Sequence, residues 1–231
     1  LKSLQLVNAL GDTLYELNHE GILIPKLAKS LPKVSKDKLR IDIELRNNVF
    51  FHDGTPFDSY AMKFTIERFQ RIGKMSHILG NKIESVDTPR KDLLTIYLNK
   101  PSSSIEGLLT SIYLTPLSPT AYKDHSDIYL NEKFVGTGKY ILQSFTNDVQ
   151  ILEPNPNYWG DKPKNEGIYF VGYSNSASLY GALKSKQIDV LLSNSIDDSQ
   201  RKVLKSLSEL KEINEGRSIA NEISFISLRT N

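Results

Sequence analysis

His52 and Asp53 are the residues of this chain that most invite a chemical reading, an imidazole titrating near neutrality beside a carboxylate. Adjacent residues in a turn rarely point at one substrate, and no nucleophile or second carboxylate stands at a spacing that would complete a site. The run Asp53-Gly54-Thr55-Pro56 favours a structural role instead. Gly54 would permit an unusual backbone angle, and Pro56 and Asp58 would set the start of a helix. His19, His52, His77 and His125 are scattered, without the H-x-x-x-H or related spacing of a metal site. No catalytic residue, metal or cofactor is therefore expected. Gly136-Thr137-Gly138 superficially suggests a phosphate loop, but it lacks the G-x-x-x-x-G-K-[ST] pattern and precedes a strand rather than a helix. Those glycines are expected to let the backbone cross tightly. Tyr158 and Trp159 could stack on a ligand, although a packed corner is the expected reading.

The elements that must hold these residues are partly legible. Leu39, Ile41, Ile43 and Leu45 alternate with Arg40, Asp42 and Glu44, the period of a half-buried strand. Val49-Phe50-Phe51 resumes an extended run after a turn at 46–48. Asp58 caps a helix predicted to about Arg71, with Met62, Ile66 and Phe69 on one face and Gly73 as its stop. A strand is predicted over Leu93–Leu98. Lys139–Phe145 and Val149–Glu153 read as an antiparallel pair joined by Thr146-Asn147-Asp148. Gly167–Tyr173, Ser176–Lys186 and Ile188–Leu192 read as strand, helix and strand, which implies a parallel pair with a right-handed crossover. A helix over about Asp198–Leu207 and a strand over Glu222–Leu228 follow.

Composition narrows the class. The 231 residues suffice for one large domain or two small ones. With 29 basic and 27 acidic residues, a formal net charge of +2 gives no electrostatic case for nucleic acid or an anionic membrane. The absence of cysteine rules out disulfides and thiolate sites within this sequence. No apolar run approaches the roughly 18 to 20 residues that span a bilayer. The chain opens without a basic n-region and apolar h-region, so any secretion signal is expected to have been removed or to lie outside this sequence.

The stretch LRNNVFFHDGTPFDSYAMKFTIER, Leu45 to Arg68, resembles the family-5 extracytoplasmic solute-binding proteins of peptide, dipeptide and nickel ABC importers. Leu45, Arg46, Val49, Phe51, His52, Asp53, Gly54, Thr55, Pro56 and Phe57 fit that family's L-R-x-x-V-x-F-H-D-G-T-P-hydrophobic segment. Leu14-Tyr15-Glu16-Leu17 and Pro25 to Ser30 are similar to its early L-Y-E-x-L and P-x-L-A-x-S-W run, with Leu31 in the tryptophan's place. Val135 to Tyr140 is similar to V-G-T-G-P-Y, with Lys139 for proline, and Glu153 to Gly160 matches E-x-N-P-x-Y-W. The resemblance implies a mixed α/β, type II-like periplasmic binding protein fold. It implies that 1–24 and 134–231 form the first lobe, 25–133 an inserted accessory domain, and that a second large lobe is absent from this chain.

The same resemblance implies capture of a solute, most simply an oligopeptide, between two lobes and its delivery to an ABC permease by a periplasmic or lipid-anchored monomer. A ligand-sensing module, or a binding protein for a nickel chelate or sugar oligomer, is the alternative. In relatives the peptide lies as an added extended strand, read through its main chain. Ser193, Asn194 and Ser195 match the first-lobe position that supplies polar contacts, and they follow a strand end where open α/β sheets place ligands. Asn194 could donate and accept to one peptide unit, or simply belong to a solvated loop. Tyr15 and Glu16 match a segment bordering the cleft in relatives, with Glu16 a candidate for a ligand ammonium or an arginine of the other lobe. Phe225 is a further candidate, with core packing as its alternative.

Overall fold

The computed structural model describes residues 2–18, 20–73, 76–102, 105–124, 134–192 and 195–211. Two compact units emerge, one of 1–17 with 23–172 and one of 18–22 with 173–231.

In the first unit, helix α1 (Lys2–Leu10) leads into the short hairpin β1 (Tyr15–Leu17) and β2 (Leu23–Pro25). A four-stranded antiparallel sheet follows in the order β3-β4-β6-β5, from β3 (Lys33–Val34), β4 (Arg40–Glu44), β5 (Ile83–Arg90) and β6 (Leu93–Leu98). The alternation read in β4 is what the sheet uses: Ile41 and Ile43 have no exposure, while Arg40, Asp42 and Glu44 lie on the other face. Helix α2 (Ser59–Ile72) supplies Met62, Ile66 and Phe69 to the same core. Its start is fixed by Asp58, whose carboxylate accepts from the Ala61 amide at 3.0 Å. Its end is fixed at Gly73 by crowding rather than by a left-handed turn. The Gly73 φ is −68°, but a Cβ there would lie 2.6 Å from the Phe69 carbonyl oxygen. Three one-turn helices, α3 (Ser76–Leu79), α4 (Ile105–Leu109) and α5 (Pro119–Tyr122), complete this part.

Strand β5 was not evident in the sequence. It carries Pro89 and two register shifts against β6, so its buried positions, Ile83 and Val86, do not keep a period of two. The Val49–Phe51 run is not a strand either. It folds back on Pro56 through one bridge around Gly54, whose φ of +81° requires the glycine there.

A second sheet is antiparallel in the order β7-β8-β9, from β7 (Tyr140–Phe145), β8 (Val149–Pro154) and β9 (Ile168–Val171). Leu152 packs with Leu6 and Leu10 of α1 to form a separate small core, flanked by Phe134, Tyr140, Leu142, Ile168 and Phe170.

The second unit holds α6 (Ser176–Lys184), capped by Asn175, and α7 (Asp198–Lys205), capped reciprocally by Asp197 and Gln200. The strand expected over Ile188–Leu192 does not form. Val190 is 77% exposed, and among the described residues no strand pairs with this segment. The implied parallel pair is corrected with it: β9 pairs antiparallel with β8, and every strand pair described is antiparallel. Among the described residues this segment has no hydrogen-bonding neighbour to hold it as a strand, whatever its β-branched content. The expected strand at Glu222–Leu228 lies outside the described residues.

Candidate functional site

The densest polar constellation in the first unit surrounds Asp12, just beyond α1 and 3% exposed. Its carboxylate accepts from Thr137 Oγ1 at 3.1 Å, Tyr158 Oη at 3.1 Å and Trp159 Nε1 at 3.0 Å. Lys26 Nζ stands 3.4 Å from Asp12 Oδ1 and 3.5 Å from Glu16 Oε2. The Asp12 amide also donates to Thr137 Oγ1 at 3.3 Å, so the two residues close a reciprocal pair. A buried carboxylate is tolerable only with this many donors and a counter-charge. Burial first, then the Asp12 charge, pushes the Tyr158 hydroxyl far above its ordinary pKa, so it remains a donor.

Around this hub the aromatic corner is closed by cations. The Arg46 guanidinium lies 4.9 Å from the Trp159 ring centroid, and Arg46 Nε donates to the Lys26 carbonyl at 2.6 Å. Lys139, standing where the family pattern has proline, places its ammonium 5.6 Å from the Tyr158 ring centroid. Tyr158 and Trp159 thus form the packed corner, with ring centroids 5.4 Å apart.

Beside the hub runs a seam centred on Gly138. Its amide donates to the Leu10 carbonyl at 3.0 Å, and a Cβ there would fall 2.5 Å from the Ala9 carbonyl oxygen. The Gly138 carbonyl accepts from His52 Nε2 at 3.1 Å and from Asn155 Nδ2 at 3.0 Å. The His52 amide donates to Gly136 O at 2.9 Å. The glycines permit the tight crossing expected of them, against the end of α1. His52 is a seam residue: a carbonyl partner means that Nε2 carries the proton. Burial, chiefly, holds its pKa below the ordinary histidine value, against the pull of the Gly138 and Phe134 carbonyls and the Asp12 and Asp53 charges.

Asp53 is not aimed at His52. Its carboxylate accepts from Ser118 Oγ and Thr55 Oγ1, both at 2.5 Å, and from the Thr55 amide at 3.0 Å. Burial alone would raise its pKa, but these hydrogen bonds outweigh it and leave the carboxyl below the usual range. Both members of the acid–base pair are therefore committed to holding loops together.

The described residues proposed for ligand contact fall in both units, Tyr15 and Glu16 in the first and Ser195 in the second. Tyr15 has no exposure, and its hydroxyl donates to the Ser30 carbonyl at 3.0 Å. Its neighbour Glu16 is half-exposed on β1 and paired with Lys26. Ser195 is exposed, its amide donating to the Leu192 carbonyl at 2.9 Å. Ser193, Asn194 and Phe225 lie outside the described residues. Sequence reasoning missed Asp12 altogether. Its partners Thr137, Tyr158 and Trp159 were singled out only as separate motifs, and a lone aspartate between Gly11 and Thr13 carries no spacing signal. Among the described residues no group of three or more His, Asp or Glu side chains is placed to hold a metal ion, and no helix is long and apolar enough to cross a membrane.

Comparison with known proteins supplies the context for this geometry. The chain is 26% identical over 203 residues to the "Probable D,D-dipeptide-binding periplasmic protein DdpA" of Escherichia coli K12, covering 85% of this chain and 38% of that protein. It is 30% identical over 193 residues to the nickel-binding periplasmic protein of the same organism, covering 79% of this chain and 36% of the relative. Among solved structures, NikZ from Campylobacter jejuni in complex with Ni(L-His) superposes with a TM-score of 0.78 at 26% identity, over 86% of this chain and 40% of that one. The chain thus spans about two fifths of the length of the relatives it matches. Its mixed α/β fold matches part of a type II periplasmic binding protein. The family profile described as bacterial extracellular solute-binding proteins, family 5 Middle, matches residues 23–231. That family is one of solute-binding proteins rather than enzymes, and this chain belongs to it.

Proposed function

We propose that the full-length protein is the extracytoplasmic solute-binding component of an ABC importer, and that its cargo is an oligopeptide. The observation that carries the peptide reading is the similarity, across 85% of this chain, to a relative named for D,D-dipeptide binding. In this reading two lobes close on the peptide and exclude water from its polar contacts, and the closed form docks on a membrane permease. Residues 1–24 and 134–231 are taken as the first lobe and 25–133 as the accessory domain. In support, the four-stranded sheet with α2 falls wholly within 25–133 and the three-stranded sheet within 134–231. Ser193, Asn194, Ser195 and Glu16 are assigned to the first lobe's polar contacts and Phe225 to an apolar one. Tyr15, with its side chain buried, serves by holding β1 in place. The protein acts as a monomer outside the cytoplasm, held to a membrane by lipid where the full-length sequence provides an anchor.

A nickel complex is the second reading, favoured by the nickel-binding relative at 30% identity. Native mass spectrometry of the full-length protein, released gently from its host, separates the two. A ladder of adducts at peptide masses supports the first. An adduct carrying the nickel isotope pattern supports the second. A clean apo mass, with no thermal shift on adding either peptide pools or nickel with histidine, would overturn both.

A further inference from the structure

Of the 13 glycines in the sequence, only Gly54 follows an aspartate or an asparagine. At such a bond the chain can reroute itself, because an amide nitrogen with no side chain beside it can reach the preceding carboxyl carbon. Asp53 and Gly54 are both exposed, and a Cβ placed at Gly54 would meet nothing within 4 Å. Neither burial nor crowding protects the pair. What restrains it is a clasp of hydrogen bonds. Thr55 Oγ1 and the Thr55 amide donate to Asp53 Oδ1 at 2.5 and 3.0 Å, and Ser118 Oγ donates to Oδ2 at 2.5 Å. The attacking atom is engaged too, since the Gly54 amide donates to the Phe51 carbonyl at 2.9 Å.

We propose that Asp53–Gly54 is a site of spontaneous isoaspartate formation, and that the Ser118 and Thr55 hydroxyls hold it closed. When the carboxyl swings free and takes up a proton, the Gly54 nitrogen bonds to Asp53 Cγ. The carboxyl hydroxyl leaves with the amide proton as water, and a succinimide ring results. Water then opens the ring, and opening at the former main-chain carbonyl leaves the chain running through Cγ, one methylene longer and unchanged in mass. The clasp opposes this by turning the carboxyl toward Thr55 and Ser118 and by keeping it ionised, the less reactive form. In the product the carboxylate has moved, so Ser118 and Thr55 lose their acceptor. The added methylene also displaces His52, whose amide donates to the Gly136 carbonyl at 2.9 Å. Isomerisation therefore strikes the tie between this turn, the start of α5 and the crossover at Gly136.

The test is prolonged incubation of the full chain in mildly acidic buffer, with isoaspartate located by peptide mapping against synthetic standards. Wild type is expected to accumulate it slowly and at position 53. Ser118→Ala is expected to do so about tenfold faster, the factor that loss of one charge-assisted hydrogen bond allows. Ser118 Oγ also accepts from the Ala121 amide at 3.3 Å as the cap of α5, so Thr55→Val is the second variant, expected to accelerate the reaction likewise. It decides the matter if Ser118→Ala does not fold. Asp58→Ala loosens the start of α2 without touching the clasp and is expected to react at the wild-type rate. Wild-type rates in both Ser118→Ala and Thr55→Val overturn the proposal. So does an equal acceleration by Asp58→Ala, since general loosening would then suffice, or product confined to other aspartates.

Discussion

Around the four-stranded sheet, Ile41, Ile43, Leu94 and Ile96 have no exposure and share a core with Met62 and Ile66 of α2. Around the three-stranded sheet, the buried cluster among the described residues is Leu6, Leu10 and Leu152. The larger core rests on apolar burial, which is non-directional and tolerant of rearrangement. Between the two run directional contacts: the Asp12 hub, the Gly138 crossover and the paired Tyr158 and Trp159, with Trp159 packing against the larger core. Such contacts fail all at once when a partner is removed, since each leaves a buried group unsatisfied.

Substitutions should expose that difference. The largest effect is expected from Asp12→Ala, which removes the acceptor of Thr137, Tyr158 and Trp159, leaves Lys26 with Glu16 alone and should cost about 3–5 kcal/mol. Denaturant unfolding checks the magnitude. Hydrogen exchange should show β7 to β9 losing protection before β4 and β6, and a uniform loss would erase the contrast drawn here. Next is Ile43→Ala, a cavity in the larger core expected to cost about 2–4 kcal/mol. Here protection should fall across the four-stranded sheet while the Tyr158 and Trp159 environment, followed by near-ultraviolet circular dichroism, stays largely native.

A smaller effect, about 1 kcal/mol, is expected for Asp58→Ala, because only the N-cap of α2 is lost. Asp58→Ser should restore most of it. Smallest is the acid response of Asp53. Its folded pKa is lowered, so its contribution is present above the unfolded carboxylate value and is lost as pH falls through the folded one. Compared with wild type, Asp53→Asn should flatten the thermal stability profile below about pH 4 and leave it unchanged in slope near neutrality.

The local elements were legible because short-range physics specifies them. The alternation of Ile41 and Ile43, the Asp58 cap and the turn at 146–148 need only neighbours a few residues away, and each formed as read. Strand β5 was hidden by its bulges, and Ile188–Leu192 carried the composition of a strand without a partner among the described residues to make it one. A strand is a property of a pair, and the second member is not encoded locally.

The candidate site divides along the same line. The sequence by itself determined the family resemblance, the absence of cysteine chemistry, and the structural leaning of the HDGTP turn. It also marked Gly136-Thr137-Gly138, Tyr158 and Trp159 as separate motifs. Only the tertiary structure decided that they converge on Asp12, separated from it by 125 to 147 positions along the chain. A buried carboxylate is defined by the donors that surround it, and those donors come together only when the chain has folded.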